Sequence, residues 1–156
     1  MMDVPALIDA LRDRGWTVTC AESCTGGMVA AAITDIAGSS DVFERGFVTY
    51  SNDAKREMLG VSAQSLEEHG AVSQEVAREM ALGALKSARA DVAVAISGIA
   101  GPGGSDHKPE GRVCFAVALA EQMASETVEF GPLGRENVRS KAKYYALKLI
   151  LDAAQS

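Results

Sequence analysis

The chain has 156 residues, of which 47% are apolar, and this is the common size of one domain with a sizeable buried core. Its formal net charge of -6 argues against nucleic acid as a partner, because such a protein repels a phosphate backbone unless its basic residues cluster on one face. The cysteines lack metal-finger and C-x-x-C spacing, which favours reduced thiols in a cytoplasmic protein and predicts no metal site. No signal peptide or membrane-length apolar run is present, so neither export nor a membrane partner is expected.

The first elements are a helix and a strand that ends in a glycine-rich turn. Apolar residues at helical spacing predict a helix over residues 3 to 14, which Gly15 ends. A short β-prone segment from Trp16 to Cys20 then leads into the turn of residues 22 to 27. An alanine-rich helix follows to about Asp35.

The next elements bring a lysine close to the start of a helix. A strand is predicted from about Arg45 to Tyr50, and Ser51-Asn52-Asp53 suits the cap of a short helix that contains Lys55. A longer amphipathic helix is predicted from Ser73 to Ala88.

Buried strands and an unusual loop fill the second half of the chain. Residues 91 to 96 form a continuous apolar run typical of a central strand, and residues 97 to 111 are too rich in glycine and proline for a regular element. Further strands are predicted at 113 to 119 and 127 to 130, and a last helix at 135 to 153. Helices that alternate with apolar strands predict an α/β fold in which ligands bind where loops leave the strand ends.

Ser23 lies where the first strand gives way to a helix. Gly26 and Gly27 allow another molecule to approach the backbone there, and free N–H groups would stabilise an anion. The position suits a nucleophile whose attack produces an oxyanion, and it suits a phosphate equally well. The alternative is that Ser23 or Thr25 only caps the helix.

A serine nucleophile needs a base from elsewhere in the chain. Lys55 is the preferred candidate, since a partly desolvated lysine can lose its proton, while His69 and His107 are weaker alternatives. Cys24, beside the serine, is a different candidate nucleophile, and with Glu22 and Lys55 it would form a Cys-Glu-Lys set. The alternative is that Cys24 is a buried structural thiol.

Two further features offer binding groups. The loop from Ser97 to Gly104 follows the most buried strand, and its backbone donors could hold a phosphate or a substrate amide, unless the loop is a simple surface connection. Arg135 and Arg139 lie one helical turn apart and could grip a phosphate together, although two solvated arginines would show the same spacing.

Four segments together resemble the CinA C-terminal domain family over nearly the whole chain: residues 21–27 (AESCTGG), 48–55 (VTYSNDAK), 59–61 (LGV) and 97–104 (SGIAGPGG). The resemblance implies one three-layer α/β/α domain with a mixed, roughly five-stranded sheet. It also implies hydrolysis of nicotinamide mononucleotide to nicotinate mononucleotide and ammonia, without metal or cofactor, by a stand-alone form that assembles as a homo-oligomer.

The resemblance also implies roles for individual residues. Ser23 becomes the nucleophile and Lys55 its general base, and Arg135 or Arg139 holds the phosphate. The remaining substrate-binding residues are expected to be Thr25, Gly26, Gly27, Tyr50, Ser97, Gly98 and Gly101. Position 97 departs from the threonine expected there, although the hydroxyl remains. Two other functions stay open, an amidase for a different ribotide and a non-catalytic nucleotide-binding or partner-binding module.

Overall fold

The computed structural model describes residues 2–156, which form six α-helices and a five-stranded sheet. The helices are α1 (Val4–Arg14), α2 (Met28–Thr34), α3 (Asn52–Leu59), α4 (Ala63–His69), α5 (Gln74–Ala88) and α6 (Arg135–Gln155). The strands are β1 (Val18–Glu22), β2 (Phe47–Val48), β3 (Val92–Gly98), β4 (Arg112–Leu119) and β5 (Met123–Glu129).

The sheet is mixed, with the strand order β2-β1-β3-β4-β5. Strands β2, β1 and β3 run parallel, whereas β4 and β5 continue the sheet as an antiparallel pair. The carboxyl ends of β2, β1 and β3 therefore lie at one edge, where open α/β sheets bind their ligands.

Helices cover both faces of the sheet, which confirms the predicted three-layer α/β/α arrangement. Helices α1, α2 and α6 pack on one face, and α5, with α3 and α4 against it, packs on the other. Along β3 the side chains alternate between the two cores: Val92, Val94 and Ile96 face the first, and Ala93 and Ala95 face the second. The small alanines leave room for α5 to lie close to the strand.

Close packing of α3 against α5 depends on Gly83. A Cβ at this position would lie 1.9 Å from the carbonyl oxygen of Leu59, so no other residue fits without movement of the backbone. Gly83 therefore lets the end of α3, the helix that carries Lys55, rest directly on α5.

The elements differ from the sequence predictions mainly at the edges of the sheet. Only Phe47 and Val48 of the predicted strand at 45–50 pair with β1 as a strand, because the chain turns into α3 soon after. Helix α4 was not predicted, since none of its residues is buried and an apolar period is lacking. No helix within residues 2–156 combines the length and apolar character needed to cross a membrane.

Candidate active site

A cavity of about 350 Å³ opens at the edge where β1, β2 and β3 end. Its walls come from the turn after β1, from the segment that leads into α3, from the turn before α5 and from the glycine-rich loop after β3. Its lining residues are Ser23, Cys24, Tyr50, Asn52, Lys55, Ala71, Val72, Ser97–Ser105 and Arg135. The two loops singled out by the sequence therefore face each other across one space.

Lys55 and Ser23 are in direct contact inside this cavity. The Nζ atom of Lys55 lies 2.9 Å from Ser23 Oγ, and it also donates to the carbonyl oxygens of Thr49 at 2.9 Å and Tyr50 at 3.2 Å. The contact forms because β2 lies beside β1, so the chain that leaves β2 passes the turn after β1. Ser51 then caps α3 by accepting from the N–H of Ala54, and Lys55 follows in the first turn.

The lysine is buried to an unusual degree. Its relative exposure is 1%, whereas lysine side chains are almost never fully buried in proteins. Burial disfavours the ammonium form and lowers the pKa of Lys55 from 10.5 to about 8, against a smaller opposing effect of the nearby Cys24 thiol. A minor fraction of Lys55 is therefore neutral near physiological pH, far more than an unperturbed lysine would provide.

The turn that carries Ser23 is held from three directions. Ser23 donates its N–H to the carbonyl of Ile96 on β3, and the N–H of Gly26 donates to the carbonyl of Ser23 at 3.1 Å. Arg139 reaches in from α6 and donates to the carbonyl oxygens of Cys24 at 3.0 Å and Thr25 at 3.4 Å. These contacts fix the serine at the end of β1.

Glu22 and Cys24, the neighbours of the serine, have separate surroundings. Glu22 is fully buried and accepts the N–H groups of Val29 and Ala30, so its carboxylate caps α2 and does not line the cavity. Cys24 does line the cavity, but burial raises the pKa of its thiol to about 11. The Cys-Glu-Lys set considered as an alternative to the serine therefore lacks its carboxylate in this cavity.

Arg135 stands at the rim of the cavity, at the first position of α6. Its guanidinium donates to the carbonyl oxygen of Gly101 at 2.7 Å and to the hydroxyl oxygen of Tyr50 at 2.9 Å. It thus connects the glycine-rich loop to the segment that supplies Lys55. The Tyr50 side chain is 61% exposed, so this part of the site faces solvent.

The opposite wall is fastened by two side chains. Ser97, which is 1% exposed, donates its Oγ hydrogen to the carbonyl of Ala71 at 2.8 Å, and this ties β3 to the turn before α5. Lys108, near the end of the glycine-rich loop, donates to the carbonyl oxygens of His69 and Val72. The loop is therefore attached to α5's leading turn and is not a free connection.

The structure brings together some of the residues expected from the sequence and separates others. The expected residues on the cavity wall are Ser23, Lys55, Tyr50, Ser97, Gly98, Gly101 and Arg135. Those that do not line it are Thr25, Gly26, Gly27 and Arg139. Thr25 is fully buried, and Gly26 and Gly27 adopt positive φ angles of 56° and 109°, so the glycines shape the turn. His69 and His107 line a neighbouring depression and lie outside this cavity.

Some lining residues escaped the sequence prediction. Asn52 lies in the segment 48–55 but was interpreted as part of a helix cap, a role that Ser51 fills. Ala71 and Val72 lie in a turn whose only signal is its position before the cap of α5. Within residues 2–156 no group of three or more His, Cys, Asp or Glu side chains is placed to hold a metal ion.

Comparison with known proteins gives consistent matches over almost the entire chain. The family described as the CinA C-terminal domain matches residues 4–154. The nicotinamide-nucleotide amidohydrolase PncC of Escherichia coli K12 is 60% identical over 142 residues, which cover 90% of this chain and 86% of that protein. A CinA-like protein of Syntrophobacter fumaroxidans is 50% identical over 91% of this chain, but the match covers 34% of that longer protein.

Solved structures show the same architecture. The competence/damage inducible protein CihA of Agrobacterium tumefaciens superposes with a TM-score of 0.93 at 46% identity, covering 98% of this chain and 93% of that one. A CinA superfamily protein of Escherichia coli gives a TM-score of 0.90 at 38% identity, covering 97% and 90% of the two chains. The chain therefore belongs to the CinA C-terminal domain family.

Proposed function

We propose that this protein is an amidase that hydrolyses the carboxamide of nicotinamide mononucleotide to nicotinate mononucleotide and ammonia. Ser23 acts as the nucleophile and Lys55 as its general base. The observation that carries the proposal is the 2.9 Å contact between Lys55 Nζ and Ser23 Oγ on the wall of a cavity. The 60% identity to a protein named nicotinamide-nucleotide amidohydrolase supports this choice of substrate.

The hydrogen bonds of Lys55 suit a general base. A neutral amine has two hydrogens and one lone pair, and the two backbone carbonyls of Thr49 and Tyr50 accept two hydrogens. The lone pair then points to Ser23 Oγ, from which it accepts the hydroxyl proton. A base with a pKa of about 8 is well matched to work near neutral pH.

The reaction follows as two acyl-transfer steps. Ser23 Oγ bonds to the carboxamide carbon while its proton passes to Lys55, and the carbonyl oxygen becomes an oxyanion. The carbon–nitrogen bond then breaks, and the Lys55 ammonium returns the proton to the leaving group, which departs as ammonia. Lys55 next takes a proton from water, the resulting hydroxide attacks the ester, and the Ser23–carbon bond breaks as Ser23 regains a proton.

Backbone N–H groups beside the serine supply the oxyanion site. The N–H of Gly26, which the sequence suggested, already donates to the carbonyl of Ser23. The N–H groups of Cys24 and Thr25 donate to no backbone carbonyl within residues 2–156, and the residue after a nucleophile commonly provides such a donor. We therefore assign the oxyanion to Cys24 N–H and the turn that follows it.

The phosphate of the substrate is assigned to Arg135 and the glycine-rich loop. Arg135 is the guanidinium on the cavity wall, and the glycine-rich backbone of residues 101–105 lines the same cavity. Arg139 is turned inward and holds the carbonyls of the serine turn, so it serves the position of Ser23. A cytoplasmic location and assembly as a homo-oligomer stay predictions from the sequence.

Ammonia release from nicotinamide mononucleotide tests the proposal, with a chelator present throughout. We expect activity in the wild type and in Cys24→Ala, and its loss in Ser23→Ala and Lys55→Met. Loss of ammonia release in Cys24→Ala alone would identify the thiol as the nucleophile. A folded wild type that binds the mononucleotide without releasing ammonia would instead identify a binding module, and activity on another amide alone would identify a different ribotide as substrate.

A further inference from the structure

The carboxylate of Glu110 joins the glycine-rich loop to the start of α6. Its Oε1 atom accepts the N–H of Gly103 at 2.6 Å, and its Oε2 atom accepts the N–H of Gly134 at 3.0 Å. Gly103 lies on the cavity wall, whereas Glu110 itself does not line the cavity. Any effect of Glu110 on a bound substrate must therefore pass through the backbone that it holds.

The second of these contacts fixes the beginning of α6. This helix starts at Arg135 after Gly134, which offers no capping side chain. The N–H groups at a helix start carry partial positive charge, and a carboxylate there is stabilising. Glu110, which is distant in sequence, thus supplies the anion that a local capping side chain would provide. This contact lies directly beside Arg135, the residue assigned to the phosphate.

Arg135 makes a second connection between the start of α6 and the glycine-rich loop. It donates to the carbonyl of Gly101, two residues before the N–H that Glu110 accepts. A Cβ on Gly101 would lie 2.6 Å from the carboxyl carbon of Glu110, so the carboxylate packs directly against the backbone there. The loop is therefore held at Gly101 by Arg135 and at Gly103 by Glu110, and both connections lead to the same end of α6.

We propose that Glu110 is a positioning residue that sets the spacing between the glycine-rich loop and Arg135, and with it the affinity for the substrate's phosphate. This inference rests on the proposed function, in which Arg135 and the loop hold that group. The contact between Ser23 and Lys55 belongs to other elements, the turn after β1 and the first turn of α3. Glu110 therefore governs binding of the phosphate and leaves the chemical step to that pair.

Two variants test separately the acceptor oxygens and the length of the Glu110 side chain, and a third variant serves as control. Glu110→Gln keeps one acceptor oxygen but presents an amide N–H₂ to one of the two N–H donors. Glu110→Asp keeps the charge on a side chain too short to reach both. Glu129→Gln removes a carboxylate at the end of β5, where its hydrogen-bond partner is the side chain of Arg112 on β4.

Kinetics with two substrates give the first readout. For Glu110→Gln we expect the KM for nicotinamide mononucleotide to rise about tenfold, the usual scale for loss of one hydrogen bond to a charged acceptor, with kcat near the wild-type value. The KM of Glu110→Gln for the riboside, which lacks the phosphate, stays unchanged. The KM of Glu110→Asp for the mononucleotide lies between those of the wild type and Glu110→Gln, and the KM of Glu129→Gln equals that of the wild type. Equal changes for both substrates, a fall in kcat alone, or no change would overturn the inference.

Amide hydrogen exchange gives a readout that needs no activity. The amides of Gly103 and Gly134 should exchange about tenfold faster in Glu110→Gln than in the wild type or Glu129→Gln, with equal unfolding midpoints in urea. Unchanged exchange at both amides would overturn the inference by itself. Failure of the wild type to release ammonia would refute the proposed function, and the exchange result would still decide whether Glu110 holds the two segments.

Discussion

Replacement of Lys55 by methionine should remove a specific pH dependence from the stability of the protein. Lys55 is 1% exposed, and burial lowers its pKa from 10.5 to about 8. The unfolded chain therefore keeps the Lys55 proton at pH values where the folded protein has lost it. Methionine has a similar length, fills the same space and cannot titrate, so Lys55→Met isolates this effect.

The sign and size follow from the two pKa values. Between pH 8 and pH 10.5 the unfolded state holds more protons than the folded state, so the free energy of unfolding rises with pH in this window. Each pKa unit corresponds to about 1.4 kcal/mol, so the rise attributable to Lys55 is about 3 kcal/mol. Well below pH 8 both states are protonated, and the cost of burying the ammonium is then present in full.

The assay is urea denaturation of wild type and Lys55→Met from pH 7 to pH 10.5. Other titrating groups contribute to both proteins, so the difference between the two free energies of unfolding isolates Lys55. We expect this difference to shift in favour of the wild type by about 3 kcal/mol as the pH rises. Lys148→Met, at an exposed lysine paired with Asp152, should show no such shift. A flat difference for Lys55→Met would refute a depressed lysine pKa and with it a neutral base.

Three further predictions follow from the same geometry. The kcat/KM for the mononucleotide should increase with pH through an apparent pKa of about 8, because Lys55 must be neutral to accept the Ser23 proton, and a pH-independent profile from 6.5 to 9.5 would contradict this role. Arg135→Ala should raise the KM for the mononucleotide about tenfold or more and spare the riboside, as steady-state kinetics on both substrates can show. Gly83→Ala should destabilise the fold by about 1–3 kcal/mol in urea denaturation, since its Cβ meets Leu59, and an unchanged midpoint would disprove the close contact.

The sequence was sufficient to predict the fold class and the edge of the sheet that carries the cavity. Buried strands without alternation and turns rich in glycine directly after them determine both. It could not predict the contact between Ser23 and Lys55, which are 32 residues apart. That contact depends on β2 joining the sheet beside β1. Because β2 has only two residues, its sequence gives little indication of a strand.

The roles of the two arginines also required the structure. Arg135 and Arg139 are one turn apart on α6, and their spacing alone suggests a shared function. Because α6 packs across β3 and α2, Arg139 reaches the carbonyls of the serine turn while Arg135 stays at the rim. Glu110 gave no sequence signal, since its partners are backbone N–H groups that any residue other than proline could supply.

Burial shifts the pKa values of Cys24 and Lys55 in opposite directions, and this favours Ser23 over Cys24 as the nucleophile. A thiol acts as a nucleophile in its charged form, and burial raises the pKa of Cys24 to about 11, so little thiolate exists near neutral pH. A lysine acts as a base in its neutral form, and burial lowers the pKa of Lys55 to about 8. The same low-polarity surroundings thus suppress a thiolate and favour a neutral amine, which is the form that can activate the hydroxyl of Ser23.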